Sequence, residues 1–277
     1  MKIGMIGLGL IGGSIAKAIK ENTNHLVYGI DLQEPIVYKA ILLEAIDGKL
    51  TDEILKECDL VIIALYPKAA MDFIQEKKTQ FKKGAIVLDC CGVKEEVCNM
   101  AFPIAQENDF IFVGGHPMAG IEFSGFEYSQ KTLFKNASMI LTPSSDTDIR
   151  TMAKLKKLWL SLGFTHVQIA TPKEHDRMIA FTSQLAHVVS NAYIKSPSAD
   201  KHRGFSAGSY KDLSRVAKLN PDMWTELFFM NRDFLVEELD NIIERLNEYR
   251  QAIKIGDEEG LWKLLKEGSD RKIAIDD

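Results

Sequence analysis

Short runs of β-branched and aliphatic residues alternate with amphipathic segments through the first 170 residues, the pattern of strands joined by crossover helices. The runs at 2–7, 26–30, 60–65, 85–89, 110–114, 138–142 and 166–169 predict strands. Several are apolar almost throughout, as strands covered on both faces of a parallel sheet are. Past Ala170 the strand signal stops. Thr171 and Pro172 have the character of an N-cap and a first helical residue opening a long helix. Residues 222–246, DMWTELFFMNRDFLVEELDNIIERL, place apolar side chains at helical spacing behind Pro221 and predict one continuous helix. No repeat, low-complexity tract or linker interrupts the chain, so the loss of strands sets the boundary. The expectation is an α/β domain over 1–170 and an all-helical domain over 171–277, with the active site between them.

Composition narrows the class. The 277 residues are 46% hydrophobic, enough for a sizeable core, and the net charge of -5 provides no broad basic field for a nucleic acid. An anionic ligand would need a local cationic pocket. Cys58, Cys90, Cys91 and Cys98 form no CxxC pair and no zinc spacing, and are expected to be reduced thiols. The N-terminal run MKIGMIGLGLIGGS carries glycines at 4, 7, 9, 12 and 13, poor material for a signal peptide. With no later stretch approaching the 18 or so apolar residues of a membrane span, the expectation is a soluble cytoplasmic protein with no membrane partner.

That same N-terminal run contains Gly7-Leu8-Gly9-Leu10-Ile11-Gly12, a GxGxxG turn between the first strand and an apolar helix from Gly13 to about Lys20. Gly7 permits the tight turn, Gly9 lets backbone approach a pyrophosphate, and Gly12 lets the helix pack on the strand. The pyrophosphate would sit at the helix N-terminus, over Leu10 and Ile11. Asp31 ends the second strand, VYGID, where a carboxylate accepts hydrogen bonds from the adenosine ribose and repels a 2′-phosphate, favouring NAD over NADP. The N-terminal domain is therefore read as a Rossmann-type doubly wound parallel sheet. Tyr66, after the strand 60–65, either lines the nicotinamide side of the cleft or packs the strand-to-helix turn.

A second cluster of chemistry follows the strand 110–114. Gly114-Gly115-His116-Pro117-Met118-Ala119-Gly120 reads as a loop braced by glycine and proline that exposes an imidazole at a carboxyl edge. Followed by Ile121-Glu122-Phe123-Ser124-Gly125, it resembles the active-site loop of prephenate dehydrogenases. The resemblance spans nearly the whole chain. Its other parts are the glycine fingerprint, Asp89-Cys90-Cys91-Gly92-Val93-Lys94, Thr171-Pro172-Lys173-Glu174-His175-Asp176, and Lys211-Asp212-Leu213-Ser214-Arg215-Val216-Ala217 ahead of Pro221-Asp222-Met223-Trp224.

The resemblance implies oxidative decarboxylation of prephenate to 4-hydroxyphenylpyruvate on the route to tyrosine, with NAD as cofactor. His116 would accept the proton of the ring hydroxyl, a role that a group titrating near neutrality suits. It implies that Arg215 grips a substrate carboxylate with its forked donors, although Arg215 and Asp212, three residues apart on one helix, could also pair. It places His187 near the substrate, gives Glu122 a part in gating access or anchoring a cationic partner, and implies homodimerisation through the helical domain. No metal is implied, and no HExxH-like spacing offers one. The stretch running to Asp277 leaves no room for the mutase or regulatory domain fused in some relatives, so any inhibition by tyrosine would act at or near the active site.

Two positions depart from the family pattern. Gly92 replaces a serine that bonds the catalytic histidine or the substrate hydroxyl in many relatives, and Gln184 replaces a histidine. Lys94 is expected to be a solvated lysine at a helix start or a residue at the substrate mouth. Competing readings are an arogenate dehydrogenase, a β-hydroxy-acid dehydrogenase with Lys211 as its lysine, and an NAD-binding sensor without turnover. A β-hydroxy-acid dehydrogenase would leave GGHPMAG unexplained, and a sensor has no need of a base at His116 and a carboxylate clamp at Arg215 in one cleft.

Overall fold

The computed structural model describes residues 1–276. Eight strands, β1 (Lys2–Ile6), β2 (Leu26–Ile30), β3 (Gly48–Lys49), β4 (Leu60–Ile63), β5 (Ile86–Asp89), β6 (Ile111–Pro117), β7 (Ser138–Pro143) and β8 (His166–Ile169), form one sheet in the order β3-β2-β1-β4-β5-β6-β7-β8. Helices α1 (Leu10–Asn22), α2 (Glu34–Leu42), α3 (Asp52–Leu55), α4 (Pro67–Lys77), α5 (Glu95–Glu107) and α6 (Ile149–Ser161) link them. The order reverses direction at β1, so the crevice of a doubly wound sheet opens at the carboxyl ends of β1 and β4.

Alternation along the central strands puts side chains into two cores. Leu60 and Ile62 join Ile3, Met5, Ile15 and Trp159 on one face, while Val61 and Ile63 join Val87, Ala70, Ile74 and Val97 on the other. Each large aliphatic side chain fully buried this way contributes about 1.5–3 kcal/mol. Both faces being covered explains why these strands have no polar alternation.

The sheet departs from the predicted all-parallel arrangement at one place. β6 and β7 pair antiparallel, with His116 opposite Ile140. A parallel return needs a long crossover, usually a helix, on the sheet's face. Residues 118–137 instead contain only a short 3-10 turn, Phe126–Tyr128, and lie across α1, where the Gln130 N–H donates to Ser14 Oγ (2.9 Å) and Lys17 Nζ donates to the Ser129 carbonyl (2.8 Å). The two-residue β3 is also unforeseen, being too short to leave a periodic signal.

Beyond β8, α7 (Pro172–Ile179) runs through a π-helical segment, Ala180–Leu185, into α8 (Ala186–Tyr193), followed by α9 (Gly208–Ser214) and α10 (Pro221–Met230). A capping box starts α7: Thr171 Oγ1 accepts from the Glu174 N–H (3.2 Å) and Glu174 Oε2 accepts from the Thr171 N–H (2.8 Å). The continuous helix expected over 222–246 is broken. Asn231, at φ -117° and ψ 28°, separates α10 from α11 (Arg232–Ile255), and its buried amide donates to the Asp176 carbonyl and to Gln184 Oε1 (both 2.8 Å). Hydrophobic spacing carries on across the break because that pattern reports which face is buried, not whether one residue leaves the helical well.

By packing, the chain divides into a unit comprising residues 1–231 and a second beginning at Arg232. The second is an α-helical hairpin of α11 and α12 (Glu258–Asp276), tied internally by Tyr249 Oη donating to the Leu264 carbonyl (3.2 Å). Asp277 lies outside the described residues. Among the described residues no helix is long and apolar enough to cross a membrane.

Candidate active site

The glycine turn at the end of β1 is built from three different constraints. Gly7 has φ +86°, and a Cβ there would stand 2.6 Å from the Ala64 carbonyl oxygen, so strain and sterics both demand glycine. A Cβ on Gly12 would stand 2.0 Å from the Gly7 oxygen, which is the close approach that seats α1 against β1. Gly9 is different: nothing in the protein lies within 4 Å of its would-be Cβ. The protein does not need that glycine, whereas an anion lying against the backbone would.

Gly9 is also the N-cap of α1 and makes no side-chain cap, leaving the amides of Leu10, Ile11 and Gly12 directed at the half-exposed turn. These first-turn groups fit a pyrophosphate. Asp31, at the end of β2, accepts from the Leu8 N–H through Oδ2 (2.8 Å) and from the Gln33 N–H through Oδ1 (2.9 Å), which holds its carboxylate beside the turn. Each oxygen keeps a lone pair for a ribose hydroxyl. Tyr66 is the N-cap of α4 and is 47% exposed at the carboxyl end of β4.

His116 lies inside β6, not in the exposed loop that its glycines suggest. A Cβ on Gly114 would meet Thr142 Oγ1 at 2.1 Å and one on Gly115 would meet the Asp89 oxygen at 2.5 Å, so these glycines serve close strand packing. The imidazole is half-buried, and its Nδ1 is 2.8 Å from His175 Nε2. His175 Nδ1 in turn is 2.7 Å from Asp176 Oδ1. Asp176 receives the N–H groups of Lys94 and Glu95, each at 2.7 Å, at the start of α5. Burial, then the neighbouring His175 and Lys94, hold the His116 pKa well below the usual histidine value. Burial likewise lowers that of His175, against the opposing pull of Asp176. Both rings are therefore neutral at neutral pH.

Lys94 overturns the expectation of a solvated lysine: its side chain is fully buried, with Nζ paired to Asp89. The pairing is what makes burial tolerable. Asp89, also fully buried, accepts from the Cys91 N–H (2.9 Å) and the Gly115 N–H (3.1 Å), clamping the end of β5 to β6 beneath His116. The four cysteines are free thiols; burial raises the Cys90 pKa well above the usual thiol value, far from any reactive thiolate.

The other nitrogen of His116, Nε2, looks toward Gly92, where a Cβ would lie 4.0 Å away and 3.4 Å from Leu227 Cδ2. A serine hydroxyl at that position would come within hydrogen-bond reach of the ring, and the glycine leaves the space to a ligand. Leu227 belongs to α10, whose Trp224, one turn earlier, packs against His187 with ring centroids 4.1 Å apart and planes tilted by 33°. His187 Nδ1 donates to the Ser183 carbonyl (2.8 Å), leaving Nε2 as the acceptor of a neutral ring, and Arg215 is close enough to help burial lower its pKa. Arg215 is exposed at the end of α9 and has no ion-pair partner among the described residues, Asp212 included. Helix α10 thus joins His116 and Gly92 to His187, Trp224 and Arg215.

Glu122 is brought into neither group: it is exposed in the segment after β6. Gln184, in the π-helical segment, is buried, its Nε2 donating to the Leu227 carbonyl (3.2 Å). Lys211 is exposed in α9. Sequence reasoning did not single out His175, Asp176 or the Asp89–Lys94 pair as site residues. The motif around Thr171 marks a helix start, but nothing in linear spacing says that this start faces a strand end 59 residues earlier.

Comparison with known proteins gives a consistent picture. The model of the prephenate dehydrogenase nucleotide-binding domain matches residues 15–168, and that of the prephenate dehydrogenase dimerization domain matches 171–267. A prephenate dehydrogenase of Bacillus subtilis is 30% identical over 98% of this chain and 75% of the relative. The crystal structure of prephenate dehydrogenase from Aquifex aeolicus in complex with hydroxyphenyl propionate and NAD+ superposes with a TM-score of 0.87 at 28% identity, covering 99% of this chain and 98% of that one. Synechocystis arogenate dehydrogenase gives a TM-score of 0.83 at 27% identity, covering 99% and 100%.

Proposed function

This chain belongs to the prephenate dehydrogenase family, and on that premise we propose that it carries out the NAD-dependent oxidative decarboxylation of prephenate to 4-hydroxyphenylpyruvate, with His116 handling the hydroxyl proton. The observation that carries this reading is a neutral imidazole whose Nδ1 is engaged by His175 while Nε2 faces the space left by Gly92. A neutral ring with one nitrogen open to a ligand is what a general base for a ring hydroxyl requires.

The residues of the turn at Gly7, Gly9 and Gly12, with the amides of Leu10 and Ile11, hold the pyrophosphate of NAD, Asp31 holds the adenosine ribose, and Tyr66 borders the nicotinamide end. When bound, NAD supplies the acceptor for the two electrons and the hydrogen of the oxidised ring carbon. His116 Nε2 takes the hydroxyl proton as that carbon becomes a carbonyl. The bond to the ring carboxylate then breaks, carbon dioxide leaves, and the electron pair restores aromaticity; the phenolate oxygen recovers the proton from His116. Arg215, with no ion-pair partner among the described residues, binds a substrate carboxylate, and His187 lies beside it as a neutral acceptor. Glu122 guards the approach from its exposed segment.

The same reading assigns residues 1–170 to cofactor binding and 171–277 to substrate binding and homodimerisation, in the cytoplasm. Its test is the appearance of reduced-nicotinamide absorbance with purified protein, NAD or NADP, and prephenate or arogenate in parallel. Fast signal with prephenate and NAD is expected. Signal with arogenate alone would move the substrate to the amino-acid counterpart, and silence throughout would refute the proposal. His116→Asn should lower kcat roughly 10²-fold or more with NAD affinity intact; unchanged turnover would remove His116 from the mechanism.

A further inference from the structure

Free histidine in water favours the tautomer with hydrogen on Nε2, which leaves Nδ1 as the base. His116 presents Nε2 to the substrate space, so by default the wrong nitrogen would carry the hydrogen. We infer that His175 and Asp176 are positioning residues that impose the opposite tautomer on His116, and that the amide groups starting α5 anchor them. The inference rests on the reading of His116 as the base and names what makes it one.

The Asp176 carboxylate accepts the N–H of Lys94 at Oδ1 and that of Glu95 at Oδ2, both 2.7 Å, and an ionised carboxylate has only acceptors to offer. His175 Nδ1, 2.7 Å from Oδ1, must therefore bear the hydrogen. In a neutral ring this makes His175 Nε2 an acceptor. His116 Nδ1, 2.8 Å from that nitrogen, must then donate, and its Nε2 is left with a lone pair facing Gly92. Three elements and one residue fix the chain: β6 carries His116, α7 carries both positioning residues, the start of α5 grips the carboxylate, and Asn231, between α10 and α11, donates to the Asp176 main-chain carbonyl (2.8 Å).

The relay also has a place for charge. When His116 Nε2 receives the hydroxyl proton, the imidazolium keeps its Nδ1–H bond to His175, whose polarity is reinforced by the carboxylate behind it. The arrangement follows the logic by which a buried carboxylate orients a catalytic histidine, extended by one ring. A hydrogen bond to a charged group biases an equilibrium by about 10- to 100-fold, sufficient to reverse the preference in water.

The experiment is long-range proton–nitrogen NMR on protein labelled with nitrogen-15 histidine, at pH 7.5 without substrate, with His116 assigned from the His116→Asn spectrum. The expected result is an Nδ1–H tautomer for both His116 and His175. In Asp176→Asn, the two backbone amides compete for the single side-chain oxygen and the amide nitrogen is turned toward His175. His116 should then shift toward Nε2–H, and kcat should fall about 10²-fold while KM and NAD affinity hold.

If Asp176→Asn does not fold, His175→Phe and His175→Gln replace it. Phenylalanine offers no acceptor and should release the tautomer, whereas the glutamine oxygen can accept from His116 Nδ1–H and should retain it. An Nε2–H form of His116 in the wild-type protein, or a tautomer unmoved by loss of the carboxylate or of the His175 ring, overturns the inference. If Asp176 served only to cap α5, its replacement would lower the melting temperature and leave the tautomer alone. Since the spectrum needs no turnover, inactivity toward prephenate would refute the proposed reaction without touching this result.

Discussion

Arg215 and the buried histidines place opposite demands on their surroundings. The guanidinium is exposed and lacks an ion-pair partner among the described residues, so its removal costs the fold little. Arg215→Ala should raise KM for the substrate about 10- to 100-fold, the worth of a charge-assisted bidentate contact, with kcat changed far less and the melting temperature unmoved. Steady-state kinetics and a thermal melt separate these effects. His116 and His175 instead are held below their ordinary pKa by burial, so between the folded values and about 6.5 the unfolded chain binds more protons. Their neutral burial is fully tolerated above that window, and stability is lost as pH falls through it. The melting temperature should therefore decline from pH 7 toward pH 5, and less steeply in His175→Phe; parallel profiles would contradict the assignment.

At the scale of elements, the glycine turn separates what the fold needs from what the ligand needs. Gly12→Ala drives a Cβ to 2.0 Å from the Gly7 oxygen and must displace α1, so a melting temperature lowered by several degrees is expected, corresponding to a cost on the order of 1–3 kcal/mol for overpacking. Gly9→Ala meets no protein atom within 4 Å and should melt like the wild type while binding NAD at least tenfold more weakly, measured by calorimetric titration. Equal affinity would show that Gly9 is not the contact point. The same turn was legible as GxGxxG because each glycine answers a local backbone demand. GGHPMAG was legible as chemistry and misread as structure: glycines that read as a loop are there because β5 and β7 crowd β6. The break at Asn231 had no local signal, since its cause is a buried amide shared with Asp176 and Gln184.

At the scale of the whole molecule, the hairpin of α11 and α12 leaves Ile243, Leu246, Ile253, Trp262, Leu265 and Ile273 more than half exposed. So much apolar surface on two helices suits a second copy of the chain, in keeping with the dimerization-domain match. Light scattering on the purified protein should give twice 31.1 kDa; a monomer would refute the proposed homodimer. The alternation of strands and helices, the glycine turn with Asp31, and the family resemblance were all determined by the sequence itself, because each depends on periodicity or on neighbours a few residues apart. Tertiary structure alone decided the reversal of β7, the burial of Lys94 against Asp89, and the path from α5 through Asp176 and His175 to His116. The path and the pairing of β6 with β7 join residues far apart in the chain, while Lys94 and Asp89, only five residues apart, are buried by the elements packed around them; none of these contacts yields anything until the fold has brought its partners out of water.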